Sequence, residues 1–544
     1  MASSNAVPAS QGGRSVILEG IDMTLPTGTN GPTKRLVQRI LRRNVTAAGV
    51  ANLTSRGADV NVAVTLIYRD DAVAVRLSAL ALAIDTSSYF SPLACRSEGA
   101  CVILPLWPTR QHQEDIITAL LAGEAYIDGH YGHNLMPVQM AKQSLNLTAL
   151  NALLTNNAEV SNLPTPILFT VDGLLPQSEA EEEALTAITH RLLLHDPSLA
   201  TETDVFGFTP LHDMASLRLS EGFINEYMDT LVNFGADVTA ENGQEKTPLM
   251  SAAGSGAYLP LLYLCQRLTA ADIDHQTHFT HRTALSFAAR GLQWGIESGD
   301  PPEKLNDDHK KCICTLLRYG ASIGLLPTDT PDRLQQSLVL EQYEAVLNEL
   351  PSHVMAAINA ALEPQRDTAA RIGCLLPMAP HHDGAYPHPS PSSLSFGPQE
   401  ATAIAWKIGA FSHDPTAARA AIDEYLVADS QLKRRVSAAV DHFVEQAATK
   451  TAGNAEVVGA MADVEGETVR VPLQCFAING QRAHRRLGVR EVVHRARLDE
   501  AAAYSLTGVV KGFNTHLGND DCSFQWGQLG HVHQSGRFVQ LAIS

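Results

Sequence analysis

Cys475 and Cys522 share the C-terminal stretch of the chain with His484, His494, His516, His531, His533, Asp520 and Asp521. These are the residue types of a cysteine hydrolase, in which an imidazole takes the thiol proton and a carboxylate orients the imidazole. No local nucleophile signature surrounds either cysteine, and the contacts such a site needs are spatial rather than sequential. With 21 histidines in the chain, composition alone brings several near a cysteine. His531-x-His533 is a second candidate. On a strand the two imidazoles share a face and would point at one metal or substrate, with a third ligand from His516 or Asp521. A polar outer face explains the pair without any metal. His381-His382-Asp383 with His388 offers ligand types as well, but in a run too flexible to preorganise four of them. Neither a metal nor another cofactor is expected. Arg482, Arg485 and Arg486, followed by Arg490, Arg495 and Arg497, form a basic cluster that suits phosphates, an acidic partner or the protein's own acidic surface. Without interleaved aromatics it does not read as nucleic-acid recognition.

The elements that must position these groups are a helical segment and a few strands. Gln399 to Lys450 carries helical apolar spacing, with Val436, Val440 and Phe443 on one face. Val469-Arg470-Val471 alternates as a strand does, and Pro472 marks its end. Cys475 to Ile478 reads as a second strand with Asn479-Gly480 as a hairpin turn, and Phe538 to Ile543 as a last one. Residues 399–544 are thus expected to form a small α+β domain, and they resemble no known family. A Pro-, His- and Ser-rich linker, 366–398, precedes it.

The whole chain has 58 acidic and 40 basic residues, a net charge of −18. Nucleic acid or an anionic membrane bound through the general surface is therefore not expected. No apolar stretch is long enough to span a bilayer, so no membrane insertion is expected either. Residues 1–32 read as a flexible leader without a secretory signal. Eight sparse, irregularly spaced cysteines suit reduced thiols, hence a cytoplasmic protein or one secreted into a host cytosol. Cys312-x-Cys314 lies in an apolar helical pattern and reads as core rather than zinc ligation.

Ahead of the linker the chain repeats itself. Thr209-Pro210-Leu211-His212-Asp213-Met214-Ala215, Thr247-Pro248-Leu249-Met250-Ser251-Ala252-Ala253 and Thr283-Ala284-Leu285-Ser286-Phe287-Ala288-Ala289 begin 38 and 36 residues apart. Threonine caps a helix, and proline at the first helical position loses no hydrogen bond. Phe234-Gly235-Ala236-Asp237 ends a second helix, where a left-handed residue is cheap for glycine. Arg56-Gly57-Ala58-Asp59 repeats that ending, and Asn157-Ala158-Glu159-Val160 is a degenerate copy. Weaker helix starts are expected at Val75 to Ala81, Met136 to Ala141 and Thr165 to Leu168. One such helix pair cannot bury its own apolar side, so neighbours must stack.

The motifs and their period resemble the ankyrin-repeat family over about residues 33–365, as seven or eight degenerate repeats with insertions at 87–110 and 291–308. Pro331 to Leu362 is expected to be two helical segments of a terminal cap. The resemblance implies a mainly α chain: a solenoid of helix-turn-helix repeats followed by the small α+β domain. It also implies a protein partner on the concave face, touched by His130, Tyr131, His133, Phe206, Phe208, Gln244, Glu245, Phe279 and His281. The matching family histidine bonds the turn backbone, which gives His212 a structural role. The implied function is a protein-interaction scaffold or adaptor, including a bacterial effector acting in a host cell. The alternative is an effector enzyme whose array recruits a target for the C-terminal domain to modify, as a cysteine hydrolase or transferase.

Overall fold

The structure is a computed structural model that describes residues 21–68, 74–84, 105–129, 136–163, 165–170, 175–176, 178–298, 303–327, 333–376, 398–464, 466–480 and 484–543. The chain is mainly helical, with a smaller sheet-containing C-terminal region. It divides into two compact units, residues 1–251 and 252–544.

The first unit contains β1 (Ile21–Thr24), α1 (Gly31–Leu41), α2 (Ala47–Ser55), β2 (Val64–Tyr68), β3 (Ala74–Leu77), α3 (Ala79–Ile84), α4 (Arg110–Ala122), α5 (Pro137–Gln143) and α6 (Leu147–Thr155). α7 (Glu179–His195), α8 (Pro210–Ala215) and α9 (Glu221–Asn233) follow, and the unit boundary falls inside α10 (Pro248–Ser255). The helices lie in two rows: α1 packs on α3 and α3 on α5, while α2, α4, α6, α7 and α9 stack in turn. Side-chain oxygens start most of them. Asn30, Thr46, Thr109, Asn146, Ser178, Thr209 and Ser220 each accept the N–H of the third residue on, satisfying a donor that the helix itself leaves open.

Four helices of the second row end the same way, whereas α7 ends at Asp196 in extended backbone. After α2, α4, α6 and α9 one residue takes a left-handed backbone: Gly57 (φ 84°), Glu124 (φ 65°), Asn157 (φ 61°) and Gly235 (φ 101°). The alanine that follows donates its N–H back to a leucine five residues earlier: Ala58 to Leu53, Ala125 to Leu120, Ala158 to Leu153 and Ala236 to Leu231, at 2.9–3.1 Å. This is the Schellman reversal, which satisfies the last carbonyls while turning the chain.

Three departures from the sequence reading have local causes. The leader expected over 1–32 is not structureless throughout, because β1 pairs antiparallel with β2, Ile21 opposite Tyr68. The helix start expected at Val75 begins only at Ala79; Val75 belongs to β3, and Ser78 Oγ accepts the N–H of Ala81 at 3.0 Å. β3 pairs antiparallel with β2, Val64 opposite Leu77. Thr165 to Leu168 starts no helix. It is a turn closed by Phe169 N–H on the Pro166 carbonyl, although Ile167 and Leu168 are buried. Most of the insertion at 87–110 lies outside the described residues; its end is fixed by Arg43, which donates to the carbonyls of Leu82 and Pro105 and covers the Trp107 ring at 4.6 Å.

The second unit continues with α11 (Tyr258–Cys265), α12 (Ala270–Ile273), α13 (Ala284–Ser298), α14 (Glu303–Arg318) and α15 (Arg333–Leu375). The insertion expected at 291–308 is not a loop in its described part. It lengthens α13 and α14, whose close approach needs Gly291 against His309 and Gly295 against Asn306, where a Cβ would collide. α14 ends in the same reversal, with Gly320 at φ 97° and Ala321 N–H on the Leu316 carbonyl. α15 replaces the two expected capping segments with one 43-residue helix that contains Pro351 and Pro364 and extends into the stretch expected as linker.

α15 is also the spine of the C-terminal core. α16 (Pro398–Gly409), α17 (Pro415–Tyr425) and α18 (Gln431–Thr449) pack on it. Beyond α19 (Asn454–Val458), β4 (Ala460–Val464) and β5 (Glu467–Val471) form a two-stranded sheet. β6 (Phe476–Ile478), β7 (Arg485–Leu487), α20 (Val489–Ala503), β8 (Leu529–Val532) and β9 (Phe538–Gln540) complete the chain, with the antiparallel sheet order β7-β6-β8-β9. One core joins Val346, Leu350, Ile358 and Leu362 of α15 to Trp406, Ile422, Val440, Phe476, Val492 and Leu529.

Two predictions follow the packing. Glu124 holds a backbone conformation that a Cβ disfavours by about 1–2 kcal/mol. Glu124→Gly should therefore stabilise the first unit by about 1 kcal/mol, and Gly235→Ala should destabilise it by about the same amount, in urea unfolding. Arg497, wholly buried, ties α15 to α20 through hydrogen bonds described below. Arg497→Ala should cost about 3 kcal/mol or more, read as a lower urea midpoint of tryptophan fluorescence.

Candidate functional site

Six of the predicted partner-binding residues, Phe206, Phe208, Gln244, Glu245, Phe279 and His281, sit at tight turns that precede α8, α10 and α13. In the turn before α8, Asp204 Oδ1 accepts the N–H of Phe206 at 2.9 Å and of Phe208 at 2.8 Å. Its own N–H donates to the Phe208 carbonyl at 3.0 Å, and Gly207 takes φ 79° to complete the reversal. Asn242 closes the next turn identically: Oδ1 accepts from Gln244 at 2.9 Å and Lys246 at 3.0 Å, and Asn242 N–H donates to the Lys246 carbonyl. The two turns are joined edge to edge by Gly243 N–H donating to the Phe206 carbonyl at 2.8 Å. Gly207 and Gly243 permit this approach, since a Cβ on either would lie within 3 Å of the other turn's backbone. In the second unit Thr277 closes the corresponding turn, with Oγ1 accepting from Arg282 N–H at 3.1 Å.

These frames sort the predicted residues. Phe206 is 66% exposed and Phe279 85% exposed, each on a turn whose backbone is closed by the bonds above. Gln244 is exposed beside Phe206, and His281 is exposed beside Phe279 at φ 49°. Glu245 is half-buried at φ 59° and belongs to the turn's own structure. Phe208 is half-buried and meets the His212 ring edge-on at 5.7 Å, so packing accounts for it. His130, Tyr131 and His133 lie outside the described residues. Exposed Trp294, on the lengthened α13, was singled out in the sequence only as part of an insertion.

His212 has the structural role that its position suggests. Nε2 donates to the Lys246 carbonyl at 2.8 Å, so Nδ1 carries no proton and accepts the Thr209 N–H at 3.2 Å. Gln139 builds the same bridge from α5, accepting the Met136 N–H at 2.9 Å and donating to the Thr165 carbonyl at 2.8 Å. Both tie a helix start to the turn of the following pair. Nearby Lys142 is buried, which pushes its pKa down to about 8 while Asp213 opposes that shift, and Nζ donates to the Phe169 carbonyl.

The C-terminal candidates are dispersed among structural bonds. Burial holds the Cys475 thiol far above its usual range and pushes Cys522 up to about 11, so both favour the protonated form. His494 is buried with both ring nitrogens engaged: Arg497 Nη1 donates to Nδ1 at 3.2 Å, and Nε2 donates to Asn519 Oδ1 at 2.9 Å. His442 Nε2 donates to the Cys475 carbonyl, and its ring lies 5.2 Å from that of His531. His531 and His533 do not share a strand face, because β8 ends at Val532 and His533 enters a turn, its Nδ1 facing Ser535 Oγ at 3.0 Å. His484 stacks on Phe538 at 5.2 Å. Among the described residues no group of three or more His, Cys, Asp or Glu is placed to hold a metal.

The basic cluster also divides. Arg497 is not at a surface: Nε donates to the Leu347 carbonyl at 2.6 Å, and Nη2 to Asn348 Oδ1 at 2.7 Å and the Val510 carbonyl at 2.9 Å. Burial without a carboxylate lowers its pKa to about 10. Arg495 pairs with Asp499 at 2.8 Å, and Arg485 donates to the Ser523 carbonyl. Arg490 remains exposed and directed elsewhere, beside residues of α15. No protein-family model matches the chain, and no curated protein matches it. No helix among the described residues is long and apolar enough to cross a membrane.

His212, His353, His442 and His494 all have pKa values lowered first by burial. Between those folded values and about 6.5, the unfolded chain binds protons that the folded chain refuses, so stability falls as pH drops below about 6.5. The unfolding midpoint should accordingly decline from pH 7 to pH 5. His212→Gln, built like Gln139, should keep stability at pH 7 within about 1 kcal/mol and reduce the decline, whereas His212→Ala should cost about 2 kcal/mol in urea unfolding.

Proposed function

We propose that the helix pairs are ankyrin-type repeats and that the protein is an interaction scaffold, recruiting a protein partner through the turn tips and the adjoining first-row helices. The observation that carries this reading is the pairing of exposure with rigidity at Phe206. Its ring stands in solvent on a turn closed by Asp204 and braced by Gly243. An apolar ring held outward gains nothing for folding, and it loses little conformational freedom when a partner covers it. Aromatic anchors of that kind carry a large share of interface energy. Gln244, exposed on the adjoining turn, supplies the adaptable polar contact beside the anchor. Phe279 and His281 repeat the combination on another tip.

Support for the two-turn tips as a binding edge also comes from what they lack. Among the described residues no metal-ligand cluster accompanies them, and His212, which packs on Phe208, is committed at both nitrogens to backbone structure. An effector acting inside a host cell is one setting for such a scaffold. The hydrolase alternative draws nothing from Cys475 or Cys522, whose thiols burial keeps protonated.

The test is site-specific photo-crosslinking from position 206 and from position 279 in the native cell, followed by binding measurements with the purified partner. One discrete protein should be captured from 206, and Phe206→Ala should weaken its binding about tenfold or more without moving the unfolding midpoint. No capture from either position, or an unchanged affinity in Phe206→Ala, would overturn the scaffold reading.

A further inference from the structure

An apolar cavity opens in the C-terminal core where α15, α18, α19 and the start of α20 meet. Met355, Ile358, Leu362 and Arg366 reach it from α15, at spacings that place them along one side of the helix. Phe443, Val457 and Val489 complete the floor, and Ile358, Leu362, Phe443, Val457 and Val489 are all buried. The volume is about 180 Å³, slightly larger than the roughly 150 Å³ apolar cavity that accepts a benzene ring.

The rim has the opposite character. Arg366, Arg470 and Arg490 stand around the opening. Arg366 donates to the Asn359 side chain and carbonyl, both at 3.1 Å, and Arg470 to the Gly459 carbonyl at 2.9 Å. Among the described residues none of the three is ion-paired, whereas Arg419, Arg434, Arg435 and Arg495 all have aspartate partners. In a chain with 18 more acidic than basic residues, three cations without carboxylates around one apolar opening are not the product of self-neutralisation. The same rim receives the first turn of α20, a 15-residue helix whose N-cap, Gly488, has no side-chain oxygen to offer. Glu491 in that first turn accepts the Gly488 N–H at 3.0 Å, so the helix end itself adds little to the field of the guanidiniums.

We propose that this cavity binds an anionic amphiphile: a carboxylate or phosphate monoester with an apolar group of about six to eight carbons. The apolar group fills the floor between α15 and α18. The head group takes charge-assisted hydrogen bonds from the three arginines, with arginine geometry suiting either anion. A protein partner fits less well, because Val458, 43% exposed, is the most exposed of the apolar lining residues, leaving little apolar surface around the opening. The site is independent of the partner-binding tips.

The test is isothermal titration calorimetry of the full chain with octanoate, octyl phosphate, 1-octanol and inorganic phosphate. One equivalent of octanoate or octyl phosphate should bind, with 1-octanol and inorganic phosphate each at least about tenfold weaker. The tighter of the two amphiphiles identifies the head group. The Arg366→Gln, Arg470→Gln, Arg490→Gln triple variant should lose at least about tenfold in affinity with an unchanged unfolding midpoint. Ile358→Trp, which fills the floor, should lose binding while retaining the wild-type circular dichroism spectrum. Equal binding of 1-octanol and octanoate, an unweakened triple variant, or no binding of either amphiphile would overturn the proposal.

Discussion

At the ends of α2, α4, α6, α9 and α14 the chain has to reverse without burying an unbonded carbonyl, and a left-handed residue is how it does so. Gly57, Glu124, Asn157, Gly235 and Gly320 each hold that conformation, and each is followed by an alanine whose N–H returns to the helix. The small alanine leaves room for the next pair, and the fixed reversal aims the following segment. Further bonds then link successive turns. Asn61 donates to the Glu124 carbonyl and accepts from Tyr126 N–H, while Asp128 accepts from Glu159 N–H. In the second unit Asp274 accepts from Ser322 N–H. Apolar burial gives the helices a reason to stack but little choice of register; these directional bonds fix it.

In the C-terminal core a polar group does comparable work from inside. Arg497 reaches the carbonyls of Leu347 and Val510, the Asn348 amide oxygen and His494 without meeting a carboxylate. A buried cation is costly unless its donors are satisfied, and this one has partners on α15, on α20 and in the segment after it. Its bonds demand one relative placement of α15 and α20, which apolar side chains alone would leave adjustable. The same placement sets Ile358 and Leu362 opposite Val489, so the arginine that shapes the core also shapes the cavity floor.

The sequence disclosed what is local. Thr209 and Thr247 cap their helices, Gly235 reverses the chain, and the strand patterns at 469–471 and 476–478 become β5 and β6, because each depends on a few neighbouring residues. It misplaced what depends on distant packing. Two helical segments are expected over Pro331 to Leu362, yet α15 runs through Pro351 and Pro364 as one helix, its apolar face packed by α16, α17, α18 and α20, and that burial outweighs the local penalty of the prolines. The basic cluster looked continuous along the chain, but helix geometry turns Arg497 into the core and Arg490 toward α15. Arg366 and Arg470 joined no motif because their relation to Arg490 exists only in three dimensions.

The tips show how the same two turns can be structural and still present a recognition surface. Asp204 consumes the N–H groups of Phe206 and Phe208, but the backbone it fixes sends the two rings to different places. Phe208 turns back onto His212, whose bridge to Lys246 secures the adjoining turn. Phe206 gives its carbonyl to Gly243 and leaves its ring in water. The backbone groups bonded within these two turns are thus served by the protein itself, while the buried Asn242 Nδ2 keeps an unpartnered donor there. The edge can also gain apolar area on association, which Phe206 shares with Val205, 87% exposed on the same turn. Binding energy at this edge should therefore concentrate in these two side chains, with neighbouring polar residues such as Gln244 governing which surfaces can approach them.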